Sequence, residues 1–112
     1  MDTQSLSKEA TLLHAELCSA LADPSRIMII YALSERRLNV TELAETIGVP
    51  QPTASRHLKV LRERGLVRPF REGSSVVYRL TDYRLVEALD ILRAVLHDRI
   101  QHRASVLESL EE

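Results

Sequence analysis

The residues with the greatest chemical potential lie in one short segment, TASRHLKVLRERG (residues 53–65). It contains three arginines, one lysine and one histidine, but a single acid. Guanidinium and ammonium groups bind phosphate, and the planar guanidinium can also pair with the edge of a guanine base. The segment therefore predicts contact with nucleic acid, although exposed helices are commonly basic without binding anything.

Helical periodicity separates the apolar and polar positions of this segment into two faces. The apolar positions that face the core are Ala54, Leu58 and Leu61. The outward face begins with small hydroxyl residues, which allow close approach to a base or a phosphate. Arg56 fits a guanine edge or a phosphate. The cations that fit phosphates, which position a protein without specifying sequence, are Lys59, Arg62 and Arg64.

Two further features complete the candidate interface. His57 lies on the flank of the apolar stripe, where packing or a phosphate contact is expected rather than catalysis. The later segment REGSS has the size of a loop tip that touches a groove or the backbone. The full set of predicted contacts is Gln51, Thr53, Ser55, Arg56, His57, Lys59, Arg62, Arg71, Ser74 and Ser75.

Composition is consistent with one soluble domain spanning residues 1–112. The net charge is −1, but residues 51–79 carry seven basic and two acidic residues, a local charge of +5 against −6 elsewhere. Such a basic block is typical of a nucleic-acid partner. No apolar run is long enough to cross a membrane, no secretory signal is evident, and a single cysteine excludes an internal disulfide. We expect a reduced, cytoplasmic protein without a resident cofactor.

Periodicity and turn residues predict five helices and one hairpin. Asp23 and Pro24 begin the second helix, Thr41 caps the third, Gly48 ends it, and Gly65 ends the fourth. The predicted elements are helices at about 5–21, 24–34, 41–47, 52–64 and 82–110, and a hairpin at about 66–80. Pro69 favours an edge strand. The fold class is mainly α with a small β-hairpin: a winged helix-turn-helix, with the helix-turn-helix at about 41–64 and the wing at 66–80.

The segments ALADPSRIMIIYAL, VTELAETIGVPQPTASRHLKVLRERGLV and REGSSVVYRL together resemble the ArsR/SmtB family of bacterial winged-helix repressors. The resemblance covers roughly residues 17–100. It implies a homodimer through the first and last helices, whose recognition helices meet successive major grooves of an imperfect palindrome. It also implies repression that ends when an inducer, unidentified here, binds. Gln51 departs from the family, which often has a small hydroxyl residue there.

The same resemblance implies where relatives bind metals, and this sequence departs from those sites. The third helix, VTELAETIGV, lacks the cysteine-rich motif, and Arg84 and Val95 stand where histidines are expected in a second site that Asp82 would begin. The remaining weak candidates for a soft metal ion or arsenite are Cys18, His14, His97 and His102. Cys18 is also a weak candidate for oxidation, yet a lone cysteine commonly packs as a small hydrophobe.

The sequence thus predicts a sequence-specific DNA-binding transcriptional regulator, a ligand- or redox-responsive repressor that binds a double-stranded palindromic operator as a homodimer. The alternative is a winged-helix protein-interaction module that uses its basic face on an acidic partner. An enzyme would need a nucleophile, a base and an orienting group together. The pair Cys18 and His14 has no third partner in the sequence, so no enzymatic activity is expected.

Overall fold

A computed structural model describes residues 2–111 of the protein. The helices are α1 (Thr3–Leu13), a π-helical turn (His14–Cys18), α2 (Ser19–Leu21), α3 (Pro24–Glu35), α4 (Val40–Ile47), α5 (Gln51–Glu63) and α6 (Arg84–Glu111). The first helix, predicted at about 5–21, is therefore one unbroken helical segment that contains a π-helical turn. Asp23 accepts a hydrogen bond from the Ser25 amide and caps α3, as the Asp-Pro pair predicts.

Three strands form one antiparallel sheet in the order β1–β3–β2. The strands are β1 (Leu38–Asn39), β2 (Val67–Glu72) and β3 (Ser75–Leu80). The hairpin register pairs Val67 with Leu80 and Glu72 with Ser75. Pro69 lies in the edge strand β2, where its missing N–H breaks no ladder on a third strand. The sequence predicted only an extended connection before the third helix, whereas Leu38 and Asn39 pair with Tyr78 and Val77 of β3.

The core lies among α3, α4, α5 and the sheet. Ile29, Ile30 and Leu33 of α3 are fully buried. Apolar residues that other elements contribute to this core are Leu38, Leu43, Ala54, Leu58, Leu61, Val67 and Leu80. The second predicted helix was expected to be buried nearly all round. Met28 is nevertheless 51% exposed, because it lies on the one side of α3, with Pro24 and Glu35, that the other elements leave uncovered.

The cap of α4 differs from the prediction. Asn39, not Thr41, is the N-cap: its side chain accepts a hydrogen bond from the Glu42 amide at 2.8 Å, and the Glu42 carboxylate accepts one from the Asn39 amide at 3.0 Å. This reciprocal arrangement is a capping box. It satisfies two amides at once, whereas a cap at Thr41 would leave them unpaired, so the helix begins earlier. Gly48 ends α4 at φ 72°, as predicted.

The last helix, α6, begins at Arg84, two residues after the predicted start at Asp82. It belongs to a compact unit that starts at Tyr83, and the preceding unit ends at Asp82. Within α6, Leu89 is buried, and the following apolar residues are exposed: Ile91, Leu92, Val95, Leu96, Ile100, Val106, Leu107 and Leu110. No helix within residues 2–111 combines the length and the apolar character that a membrane span requires.

Candidate nucleic-acid interface

The elements that position the basic helix are α4, the turn after it and α5. Gly48 adopts the left-handed conformation that ends α4, and its amide donates to the Ala44 carbonyl at 2.9 Å. Pro50 then precedes the first turn of α5 and its carbonyl accepts from the Thr53 and Ala54 amides. The two helices and this turn form a helix-turn-helix whose second member carries the predicted contacts.

The two faces of α5 are arranged as its periodicity predicts. Ala54, Leu58 and Leu61 are buried against the core and fix the rotation of the helix about its axis. The predicted contacts that this rotation leaves exposed are Gln51, Ser55, Arg56, Lys59 and Arg62. Thr53 is half-buried at the start of the helix. The structure thus brings small polar side chains to the N-terminal end of one exposed face and cations along it.

Two hydrogen bonds organise the N-terminal end of this face. The Thr41 hydroxyl donates to Gln51 Oε1 at 3.3 Å and joins the first turn of α4 to the first turn of α5. The Arg56 guanidinium donates to Thr53 Oγ1 at 3.4 Å, one helical turn back. Thr41 is exposed beside the predicted contacts, and its position in this face could not be seen from the sequence because ten residues separate it from Gln51.

His57 occupies a different environment from the other predicted contacts. It is half-buried, and its Nδ1 lies 3.3 Å from a guanidinium nitrogen of Arg26 on α3. The same guanidinium donates to the backbone carbonyls of Ser19 and Ala20 at the end of the N-terminal helical segment. Arg26 therefore connects three elements. Sequence periodicity places His57 on the flank of the core stripe but gives no sign of Arg26.

Asp23 lies close to Arg26 and His57, and their positive charge affects the pKa of its carboxyl group. Partial desolvation acts to raise the pKa of the Asp23 carboxyl, but the Ser25 amide and the charges of His57 and Arg26 together hold that pKa below its ordinary value. A carboxyl with a depressed pKa stabilises the folded state above its ordinary pKa, and this contribution is lost as the pH falls through the folded-state value. The cap of α3 is therefore ionised at neutral pH.

Arg64 is engaged within the protein rather than free for a phosphate. Its guanidinium donates to the Ala15 carbonyl in the π-helical turn and lies 3.9 Å from the Glu16 carboxylate. The sequence could not show this contact, because 49 residues separate Arg64 from Ala15. Arg26 and Arg64 thus anchor α5 to the N-terminal helical segment at two points along its length.

The wing presents its predicted contacts at its exposed tip. Gly73 adopts φ 62° in the tight turn between β2 and β3, and Arg71, Ser74 and Ser75 are exposed around it. Glu72 is an acid in this otherwise basic tip, and its Oε2 lies 3.3 Å from Nε of Arg37. The ion pair offsets the negative charge that would oppose an approaching phosphate.

The weak metal and redox candidates are distributed over two units of the chain. Cys18 and His14 are both exposed in the π-helical turn, and His97 and His102 are exposed on α6. Within residues 2–111, no three His, Cys, Asp or Glu side chains form a group that could hold a metal ion. In the single chain, then, the exposed face of α5 with the tip of the wing is the better-supported candidate site.

Comparison with known proteins points to one family. The family model described as bacterial regulatory protein, arsR family, matches residues 23–68. The HTH-type transcriptional regulator NmtR of Mycobacterium tuberculosis is 42% identical over 97 residues, which cover 87% of this chain and 79% of that protein.

Solved structures agree with that match and confirm the predicted fold class. The transcriptional repressor BigR from Xylella fastidiosa superimposes with a TM-score of 0.72 at 35% identity, covering 85% of this chain and 96% of that one. A homodimeric winged helix-turn-helix DNA-binding domain from Mycobacterium bovis gives a TM-score of 0.74 at 30% identity, covering 91% and 95%. The protein therefore belongs to the ArsR family, whose members are transcriptional regulators of the ArsR/SmtB type and not enzymes.

Proposed function

We propose that this protein is a homodimeric transcriptional repressor that binds a palindromic operator in the cytoplasm and releases it in response to a ligand or an oxidant. The observation that carries the proposal is the exposed face of α5. There, Ser55 and Arg56 lie at the N-terminal end and Lys59 and Arg62 follow, while the buried opposite face fixes their direction. A recognition helix reads bases with residues of this kind at its N-terminal end and holds the backbone with the cations.

The roles within this face follow from side-chain chemistry. Arg56 reads a guanine edge, because its forked guanidinium matches the two acceptors that guanine presents in the major groove. Gln51, Thr53 and Ser55 approach bases or phosphates closely, and Lys59 with Arg62 hold backbone phosphates. His57 positions the helix through Arg26. The wing tip, with Arg71, Ser74 and Ser75, contacts the adjacent groove or backbone.

The proposed dimer is supported by apolar side chains that a single chain leaves exposed. On α6, Ile91 and Leu92 are 66% and 62% exposed, and on α1, Leu12 is 61% exposed. Large apolar side chains exposed in this number along a helix are uncommon on a monomer and typical of an interface. The related domain from Mycobacterium bovis is described as homodimeric. We therefore assign the N-terminal helices and α6 to dimer formation.

The response to an inducer is the least defined part of the proposal. The resemblance to the family implies metal-binding histidines at the positions of Arg84 and Val95, and neither of these residues binds a divalent cation. Cys18 is an exposed thiol next to the carbonyls that Arg64 and Arg26 contact. A change at Cys18 would therefore alter the segment to which α5 is anchored.

A DNA titration tests the proposal directly. Reduced protein is added to labelled duplex from upstream of its own gene and to a scrambled duplex, and anisotropy is followed at several salt concentrations. A repressor of this kind binds the upstream duplex at least about 10³-fold more tightly and with a steep salt dependence. Equal affinity for both duplexes would contradict the proposal and favour a protein partner. The same assay, repeated with arsenite, zinc and oxidants, tests the inducer.

A further inference from the structure

The wing carries two exposed arginines that the interface described above does not include. Arg68 on β2 and Arg79 on β3 are directly opposite each other in the antiparallel register. Like charges in opposed positions destabilise a pair of strands. The two arginines therefore repel each other in the folded protein, and a local cost of this kind is typical of a functional site rather than of a structural one.

One aromatic ring holds both side chains. The guanidinium carbon of Arg79 lies 3.7 Å from the centroid of the Phe70 ring, and that of Arg68 lies 5.5 Å from it. Attraction between each cation and the ring offsets part of their repulsion and restricts their motion. A guanidinium that stacks on a ring through its face keeps its N–H edges available for an acceptor. The two sets of donors are therefore preorganised.

No acid within the described part of the chain neutralises this pair. The ion pairs of Glu16, Glu42, Glu72 and Asp90 are all with other arginines. Glu72 is the only acid of the hairpin, and Arg37 already pairs with it at 3.3 Å. The positive charge of Arg68 and Arg79 is thus left for a ligand outside the chain.

We propose that Arg68 and Arg79, held by Phe70, form a binding site for a backbone phosphate of double-stranded DNA. A phosphate accepts from both guanidinium groups and removes their mutual repulsion, which a neutral ligand would not. The site rests on the proposed function, because it places the base of the wing, as well as its tip, on the same duplex. It adds affinity without sequence preference, since phosphates carry no base information.

The test compares Arg68→Gln and Arg79→Gln with the wild type on a random-sequence duplex of roughly 30 base pairs, long enough for two half-sites one helical turn apart. Because both guanidinium groups share one phosphate, losing either arginine lowers the slope of log K against log salt by up to about 0.9 per subunit and weakens binding by up to roughly eightfold per subunit at 0.1 M salt. Lys8→Gln, which removes one exposed charge from α1, serves as the charge-matched control and should keep the wild-type slope. Urea unfolding of each variant completes the experiment.

The outcomes separate this site from the proposed function. A reduced slope together with an unchanged or higher urea midpoint supports the site, because the removed charge had opposed folding. A wild-type slope in both variants, or an equal change in Lys8→Gln, overturns it. If the wild type binds random duplex but shows no operator preference, operator reading fails while the phosphate test still stands. If the wild type binds no duplex, both fail.

Discussion

Neighbouring residues of α5 face different partners, because each step along a helix turns the side chain by about 100°. Arg56 is exposed, and within residues 2–111 its guanidinium hydrogen-bonds to Thr53, so it retains donors for a base. His57 is half-buried and directed at Arg26. Substitutions at the two positions should therefore weaken DNA binding in distinguishable ways.

Replacing Arg56 tests whether its guanidinium contacts a base of the operator. Arg56→Ala should weaken binding to the operator by about 1–3 kcal/mol and leave binding to scrambled DNA nearly unchanged, because a lost base contact relaxes specificity. Anisotropy titrations on both duplexes measure the difference, with Lys8→Ala as the control on an exposed cation of α1. Equal weakening on both duplexes, with a smaller salt slope, would instead assign Arg56 to a phosphate.

The Arg26–His57 contact is tested by a double-mutant cycle. Arg26→Gln and His57→Gln should each weaken operator binding, and the double variant should lose less than the two losses combined, with a coupling of about 0.5–3 kcal/mol. The salt slope should stay at the wild-type value, because neither side chain contacts a phosphate. Additive losses, or a smaller slope in His57→Gln, would contradict a positioning role and restore His57 as a phosphate contact.

At the scale of elements, the sequence predicts those helices, turns and strands whose form depends on interactions between residues close together in the chain. The apolar period of α5, the positive φ at Gly48 and the hairpin with its edge proline could all be predicted, because each depends on residues close in sequence. The cap at Asn39 was also encoded locally, since Glu42 follows it three residues later as a capping box requires. Thr41 is also a good cap residue by type, so residue type alone does not decide between the two positions.

Other features depend on contacts between distant residues and could not be predicted. Strand β1 has only two residues, too few for an alternating pattern, and it exists because β3 pairs with it about forty residues later. The bonds of Arg26 to His57 and of Arg64 to Ala15 likewise join different elements. The exposed face of the candidate site was therefore predictable, but the interactions that hold it in place were not.

The turn that sets the angle between α4 and α5 depends on Gly48. Gly48→Ala should lower the free energy of unfolding by about 1–2 kcal/mol, because φ 72° is unfavourable for a residue with a Cβ atom. Apart from Gly48 itself and its two chain neighbours, no described atom lies within 4 Å of the added methyl group, so the cost is conformational and not steric. Urea unfolding measures it. Gly48→Asn, which tolerates this conformation better, should cost less, and an alanine variant as stable as the wild type would refute the argument.

At the scale of the whole molecule, operator reading depends on a second copy of the chain. A single helix-turn-helix reads one half-site, and two joined recognition helices reach successive major grooves. The apolar surface of α6 that remains exposed in one chain is the surface available for joining them. Dimer formation and operator affinity should therefore be lost together.

Leu92→Lys tests this dependence. Leu92 is 62% exposed in the single chain, so a lysine there is tolerated by the monomer but places a charge in the proposed interface. We expect sedimentation velocity at micromolar protein to show a folded monomer, with operator affinity reduced by about tenfold or more. Gln101→Lys adds the same charge on the opposite side of α6 and should remain dimeric. A dimeric Leu92→Lys protein would exclude this side of α6 from the interface.

The π-helical turn has a consequence for how this protein tolerates change in its gene. The Ser19 amide bonds to the His14 carbonyl five residues earlier, so the turn holds one residue more than an α-helix would. That residue shifts the direction of the side chains by about 100°, and Ala20 is buried after the turn although no residue of α1 before it is buried. Deleting one codon here would make the helix regular and rotate α1 by about 100° relative to the residues after the turn. Replacing the exposed side chains of the turn would leave that rotation unchanged. In this stretch, length is constrained more tightly than composition.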